Sequence, residues 1–210
     1  NKNFKTDIEK YNCLEKLKVE KKQNNEYKVA AVNYIQTNID NIIYILKDAN
    51  FINCTMELSE KAIVAMQLQE VHSLALADLY EYTSGFANVS SSQLVSVFSC
   101  FTNISMQTND KLQFPDCKDN EIKKMCEMLT KYINKYYDLE YDYRLDSGTD
   151  YSLQYELLDY MIRWCNADDE LTCKLLINEI KNDKEIFLGE FVKAILKINN
   201  IACEFEKICE

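Results

Sequence analysis

Apolar residues recur at helical spacing along most of the chain, and the last segment, GEFVKAILKINNIACEFEKICE from Gly189 to Glu210, shows the pattern best. Phe191, Ile195, Ile198, Ala202, Phe205 and Cys209 form one stripe; Glu190, Lys193, Lys197, Asn200, Glu204 and Lys207 form another. At about 100° per residue the two stripes lie nearly opposite each other, and nothing after Gly189 breaks the helix. The pattern therefore predicts a two-faced helix roughly 30 Å long. Phe4 to Tyr27, by contrast, is charged almost all round, with thin apolar positions at Ile8, Tyr11, Leu14 and Leu17. It reads as an exposed helical stalk with a break at Gln23 to Asn25. Apolar content rises at Val29, so the reading divides the chain into a stalk, 1–28, and a packed helical domain, 29–210.

Within that domain the periodic segments are LSEKAIVAMQLQ, EVHSLALADLYEYTSGF and SSSQLVSVFSCFT. The last of these opens on Ser90 and Gln93 at capping-box spacing. Thr108 to Asn120, around Pro115, reads as a loop and Asn120 to Tyr143 as a long helix, followed by a turn at Asp146 to Asp150. YSLQYELLDYMIRWC, a helix from about Asp169 to Asn182 and the terminal helix complete about eight helices, with no internal repeat. Phe98, Phe101, Leu157, Met161, Trp164, Phe191, Ile195 and Ile198 are expected in one core.

Composition sharpens the class. Only three Gly and one Pro occur in 210 residues, too few for the turns of a hairpin-built sheet. The expectation is an all-α helical bundle. Nine Cys without a C-x-x-C pair read as reduced, mostly buried thiols of an intracellular protein, nuclear or cytoplasmic. The sequons at Asn53, Asn88 and Asn103 are about what the Asn, Ser and Thr content yields by chance. No apolar run reaches the length of a membrane span and no signal peptide opens the chain. It starts with Asn rather than Met, so a longer parent is expected. The net charge of −10 runs against the basic footprint of nucleic-acid binders, although one local basic stripe is compatible with an acidic surface elsewhere.

Catalytic motifs are missing. There is no phosphate-binding loop, no dinucleotide fingerprint and no nucleophile elbow, so the segment is not expected to bind or hydrolyse ATP by itself. The one His, His72, follows Glu70 at the wrong spacing for a di-iron bundle and has no Ser or Cys partner legible in sequence. It reads as structural. Asp168, Asp169 and Glu170 suit a helix N-terminus, which favours negative charge, better than a metal site. Trp164 reads as a core anchor rather than a base-stacking platform. No catalytic, cofactor-binding or metal-binding residue is assigned.

Two stretches, in their order, resemble a known family. Leu58 to Thr102 is similar to the start of the C-terminal helical (DSHCT) domain of superkiller-type, exosome-associated DExH-box RNA helicases. Lys61 to Ala65 supplies the lead-in, with Ala62 where the family has Gly. Phe86 to Ser90 matches F-x-x-L-S with Val89 for Leu, and Ser99-Cys100-Phe101 matches S-C-F. Glu156 to Cys165, ELLDYMIRWC, resembles the family's E-L-V-x-V-V-Y-x-W, followed at the expected distance by Gly189-Glu190-Phe191-Val192-Lys193. LKDANFI at Leu46 to Ile52 resembles the helix end that precedes the domain. The resemblance covers about Ala30 to Glu210, with the charged segment before it corresponding to a returning helix of the family's arch-like insertion.

The resemblance implies a domain that guides single-stranded RNA through an ATP-dependent motor. ATP and Mg²⁺ would be held only by the parent's motor domains, and an exosome-like RNA-processing complex would be the partner. The helix from Gly189 corresponds to the family's ratchet helix, which contacts the translocating strand. Carried over residue by residue, its basic positions fall on Lys193 and Lys197, and its acidic one on Asn200, which departs from the pattern. The residues themselves agree in part, because two are cationic and Asn can hydrogen-bond a base or a sugar hydroxyl. Taken without the family, the same stripe is a plain solvated face. The competing reading is an acidic, Tyr-rich helical module that binds protein and never touches RNA.

Overall fold

The computed structural model describes residues 4–106, 111–145 and 147–209. Those residues form eight α-helices and one 3-10 turn, and the only β pairing among them is an isolated antiparallel bridge between Ile52 and Leu58. The fold is all-α. It divides into two compact units, Asn1–Asp48 and Ala49–Glu210.

The first unit is a single helix, α1, Phe4–Asp48. It runs unbroken through Gln23 to Asn25, where the sequence suggests a break, and past residue 28, where the sequence reading places the domain boundary. The segment holds no Gly or Pro, and Asn or Gln costs a helix only a few tenths of a kcal/mol per residue, ~0.7 at most. Pairs one turn apart add support, such as Lys18 to Glu15 at 2.8 Å and Gln36 to Asp40 at 3.0 Å. Most of the apolar residues that suggest a packed domain from Val29 onward, among them Val32, Ile35 and Ile39, are exposed on this helix, and Ile45 near its end is buried.

The second unit contains α2 (Glu60–Gln67), α3 (Ser73–Tyr82), α4 (Ser91–Phe98) leading into the 3-10 turn Ser99–Phe101, α5 (Asn120–Asp142), α6 (Leu158–Cys165), α7 (Glu170–Lys184) and α8 (Leu188–Cys209). Five of these helices begin with a side-chain cap. Ser59, His72, Ser90, Asp119 and Asp169 each accept a first-turn backbone N–H, and Ser90 with Gln93 completes the capping box. Asp169, at 2.7 Å from the Thr172 nitrogen, thus has a structural task within the acidic run 168–170. Helix α4 packs on α6, α3 on α2 and α5, and α8 on α2, α4 and the 3-10 turn.

Phe98, Phe101, Leu157, Met161, Phe191 and Ile198 are buried as expected, while Ile195 and Trp164 are half-buried. The Trp164 ring meets Phe191 edge-on at 5.0 Å. One expected helix is shortened. Residues 151–157 are not part of α6, because Gln154 ties them to the segment after the 3-10 turn. Its amide oxygen accepts from the Ile104 N–H at 2.8 Å, its amide nitrogen donates to the Ile104 carbonyl at 2.9 Å, and its own N–H donates to the Cys100 carbonyl at 2.9 Å. A backbone held sideways in this way cannot bond along its own axis. The thiols also differ from expectation. Of the eight described cysteines, all free, only Cys100 and Cys126 are buried, whereas Cys13, Cys54, Cys165 and Cys203 are exposed. Cys209 and the expected turn residue Asp146 have side chains outside the described residues, as does the first part of the loop after Met106.

Candidate nucleic-acid interface

Helix α8 is anchored on the core by Phe191, Ala194, Ile198 and Ile201, all buried. Relative to the apolar stripe read from sequence, the buried arc is rotated by about 40° toward the polar stripe, taking 100° per residue. Two carboxylates of that stripe are drawn inward by the rotation. Glu204 is only 9% exposed and accepts the backbone N–H groups of Gln69 and Glu70 at 3.1 and 3.4 Å. Glu190 accepts the N–H of Ser105 at 3.0 Å. Chain segments laid across a helix carry N–H groups that need acceptors, and a carboxylate is the strongest acceptor available. The compensating exposure falls on Val192 (46%) and Leu196 (59%).

The three residues singled out from sequence do not behave alike. Lys193 is 70% exposed and ion-paired with Glu190. Asn200 is exposed on the same side. Lys197 sits at the edge of the buried arc, half-buried, and has no hydrogen-bond or ion-pair partner among the described residues. It lines a hollow of about 280 Å³ together with Glu70, His72, Phe101, Asn103 and Asp150.

Asp150 is one of the two acidic residues that line this hollow, the other being Glu70. Its carboxylate accepts the Ser152 N–H at 2.9 Å and the Asn103 amide at 2.7 Å. The Ser152 hydrogen bonds hold its pKa below the usual carboxylate value against the opposing effect of burial, with smaller contributions from Asn103 and the charge of Lys197. The hollow therefore contains a cation and an ionised carboxylate that do not bond each other directly.

His72 closes the inner side. Its Nδ1 accepts the Ala75 N–H at 3.2 Å as the cap of α3, and its ring lies 5.4 Å from Tyr136 and 5.0 Å from Tyr151. Burial pushes its pKa below the ordinary value, outweighing the raising effects of the backbone, Glu140 and Asp78. A lowered His pKa means that the unfolded chain binds a proton which the folded chain refuses. The stability contributed is complete above about pH 6.5 and is lost as pH falls below it toward the folded-state pKa. Thermal melts between about pH 8 and pH 5 should show the loss in the wild type, and His72→Asn, which caps but does not titrate, should reduce it. A wild type no more acid-sensitive than the variant would remove His72 from the balance.

Neither Glu190 nor Glu204 is legible as a backbone acceptor, because each sits at a regular position of the polar stripe. Nor is the hollow, since its lining comes from four segments far apart in the chain. No model of a known protein family and no curated protein matches the chain. No described helix is long and apolar enough to cross a membrane.

Proposed function

We propose that this chain is the C-terminal helical domain of a superkiller-type, ATP-dependent RNA helicase and that α8 guides single-stranded RNA emerging from the motor. The observation that carries the reading is Lys197, a half-buried lysine with no hydrogen-bond or ion-pair partner among the described residues, at the rim of a hollow and on the helix that the resemblance assigns to the strand. A lysine whose ammonium makes no bond within the fold keeps its donors for a ligand, and an RNA strand supplies acceptors at every nucleotide. Lys193 and Asn200 extend the same surface along about 10 Å of helix, taking 1.5 Å per residue. Lysine in place of arginine gives a point-charge contact without the planar fork. The motor domains would supply ATP and Mg²⁺, and the work would be intracellular, in the nucleus or cytoplasm, beside an exosome-like RNA-processing complex.

Replacing Lys197 with Ala should weaken binding of the chain to a single-stranded oligouridylate by about 1 kcal/mol and flatten the dependence of log K on log salt by about 0.7. The melting temperature should change little, since the side chain makes no bond within the fold. Fluorescence anisotropy across a salt series, beside a melt, checks both. Unchanged affinity and salt slope would favour the second reading, a protein-binding module. For that reading the specific observation is the row Leu188, Val192 and Leu196, exposed on one side of α8.

A further inference from the structure

We infer that the hollow beside Lys197 is a subsite for one unstacked base of the RNA strand, and that the base it fits is guanine. The inference rests on the proposed passage of RNA along α8 and goes beyond it, since a ratchet contact alone carries no sequence preference.

A phosphate is the usual partner of a free lysine, but Asp150 and Glu70 line the same space, and Asp150 is held ionised by its hydrogen bonds to Ser152 and Asn103. A phosphodiester anion placed there would meet Lys197 at the cost of facing two carboxylates. A neutral group carrying an acceptor beside donors meets both signs at once. Among the bases, guanine places the O6 acceptor next to two adjacent donors, N1–H and N2–H. Lys197 can donate to O6, and the lone pairs that Asp150 does not use for Ser152 and Asn103 can accept from N1 and N2. Uracil offers a single N–H between two acceptors; cytosine and adenine offer one amino group beside an acceptor, which satisfies the carboxylate once rather than twice.

Size and shape agree. A space of about 280 Å³ is at or below the lower end of sites for drug-sized ligands, ~300–1,000 Å³. It suits one base swung out of the strand rather than a whole nucleotide chain. Phe101 and the neutral His72 ring give it an unsaturated wall, and single-stranded RNA is read in this manner, with bases splayed out and hydrogen-bonded on their Watson–Crick edges. The wall is rigid where it matters. His72 is held in a column with Tyr136 and Tyr151, and Asn103 is tied to Asp150 across 47 residues of sequence.

The test uses the 210-residue chain and a set of oligouridylates carrying one central G, A, C, U or inosine, with affinities read by anisotropy at a fixed salt concentration. The G-containing strand should bind about tenfold more tightly than the all-U strand, the order of a good bidentate base contact. Inosine, which lacks the N2 amino group, should fall between them. Asp150→Asn, whose amide still caps the Ser152 turn, should bring G and U to within about twofold while leaving the melting temperature close to wild type. Should Asp150→Asn fail to fold, the inosine strand on the wild type tests the same contact from the ligand side. Binding that depends on Lys197 but is equal for all five strands would overturn the guanine subsite and leave the RNA-guiding reading standing. No binding to any strand would overturn that reading, and the subsite with it.

Discussion

Replacing Asp78 with Ala is expected to cost about 3–5 kcal/mol of stability, the usual loss when one partner of a buried ion pair is removed. Asp78 and Lys61 are 5% and 8% exposed and joined at 2.9 Å across α3 and α2. The second Asp78 oxygen accepts the Tyr136 hydroxyl at 2.6 Å, which ties α5 to the same point, and Lys135 stands 3.7 Å away. Burial acts to lower the Lys61 pKa, but the bonds from Asp78 and Glu81 outweigh it and the net shift is upward. Burial, with the Asp78 bond added, pushes the Tyr136 hydroxyl pKa well up. Removing the carboxylate leaves an ammonium whose one remaining ion-pair partner among the described residues is the exposed Glu81, 3.0 Å away, beside the face of the Phe51 ring, and a buried hydroxyl that has lost its acceptor. The triple replacement Lys61→Met, Asp78→Leu and Tyr136→Phe should recover most of the loss, because it removes every stranded group together. Urea unfolding followed by circular dichroism decides the matter. A single variant as stable as wild type would show that the three helices are not joined through this point.

How much of this was legible beforehand varies with the kind of signal. Caps are local, and the capping box at Ser90 and Gln93 was readable because it needs only two residues at fixed spacing. The all-α class followed from the shortage of Gly and Pro for the same reason. What periodicity does not report is the neighbour that covers a face. The apolar stretch after Val29 resembles the start of a core in composition, yet on α1 most of it stays exposed and Ile45 alone is buried. The α8 stripes were readable as a pattern, but their orientation is decided by distant backbone at Gln69, Glu70 and Ser105, whose N–H groups recruit Glu204 and Glu190. His72 was recognisable as structural, although its task as a cap was not, since His is outside the usual set of capping residues. Lys193, Lys197 and Asn200 share a side by arithmetic; only the fold separates an exposed, paired lysine from a half-buried, unpaired one.

That rotation leads to the second large effect, a contrast between two apolar residues of the same helix. Ile201→Asp should unfold the second unit under conditions in which Leu196→Asp leaves it intact. Ile201 is 0% exposed and Leu196 is 59% exposed. Five residues apart, they point about 140° away from each other. An aspartate at position 201 forfeits the burial of an Ile side chain, about 2–3 kcal/mol, and places a carboxyl at a fully buried position, adding at least about 2 kcal/mol more even when protonated. The total approaches the whole stability of an ordinary domain, ~5–15 kcal/mol. At position 196 the same carboxylate stays in water and should change stability by about 0.5 kcal/mol or less. The sequence-derived stripe omits both residues, so it does not anticipate this contrast. Circular dichroism melts of the two variants measure it directly. Equal melting temperatures would mean that α8 is not seated on Ile201, and the placement of Lys197 at the rim of the hollow would fall with it.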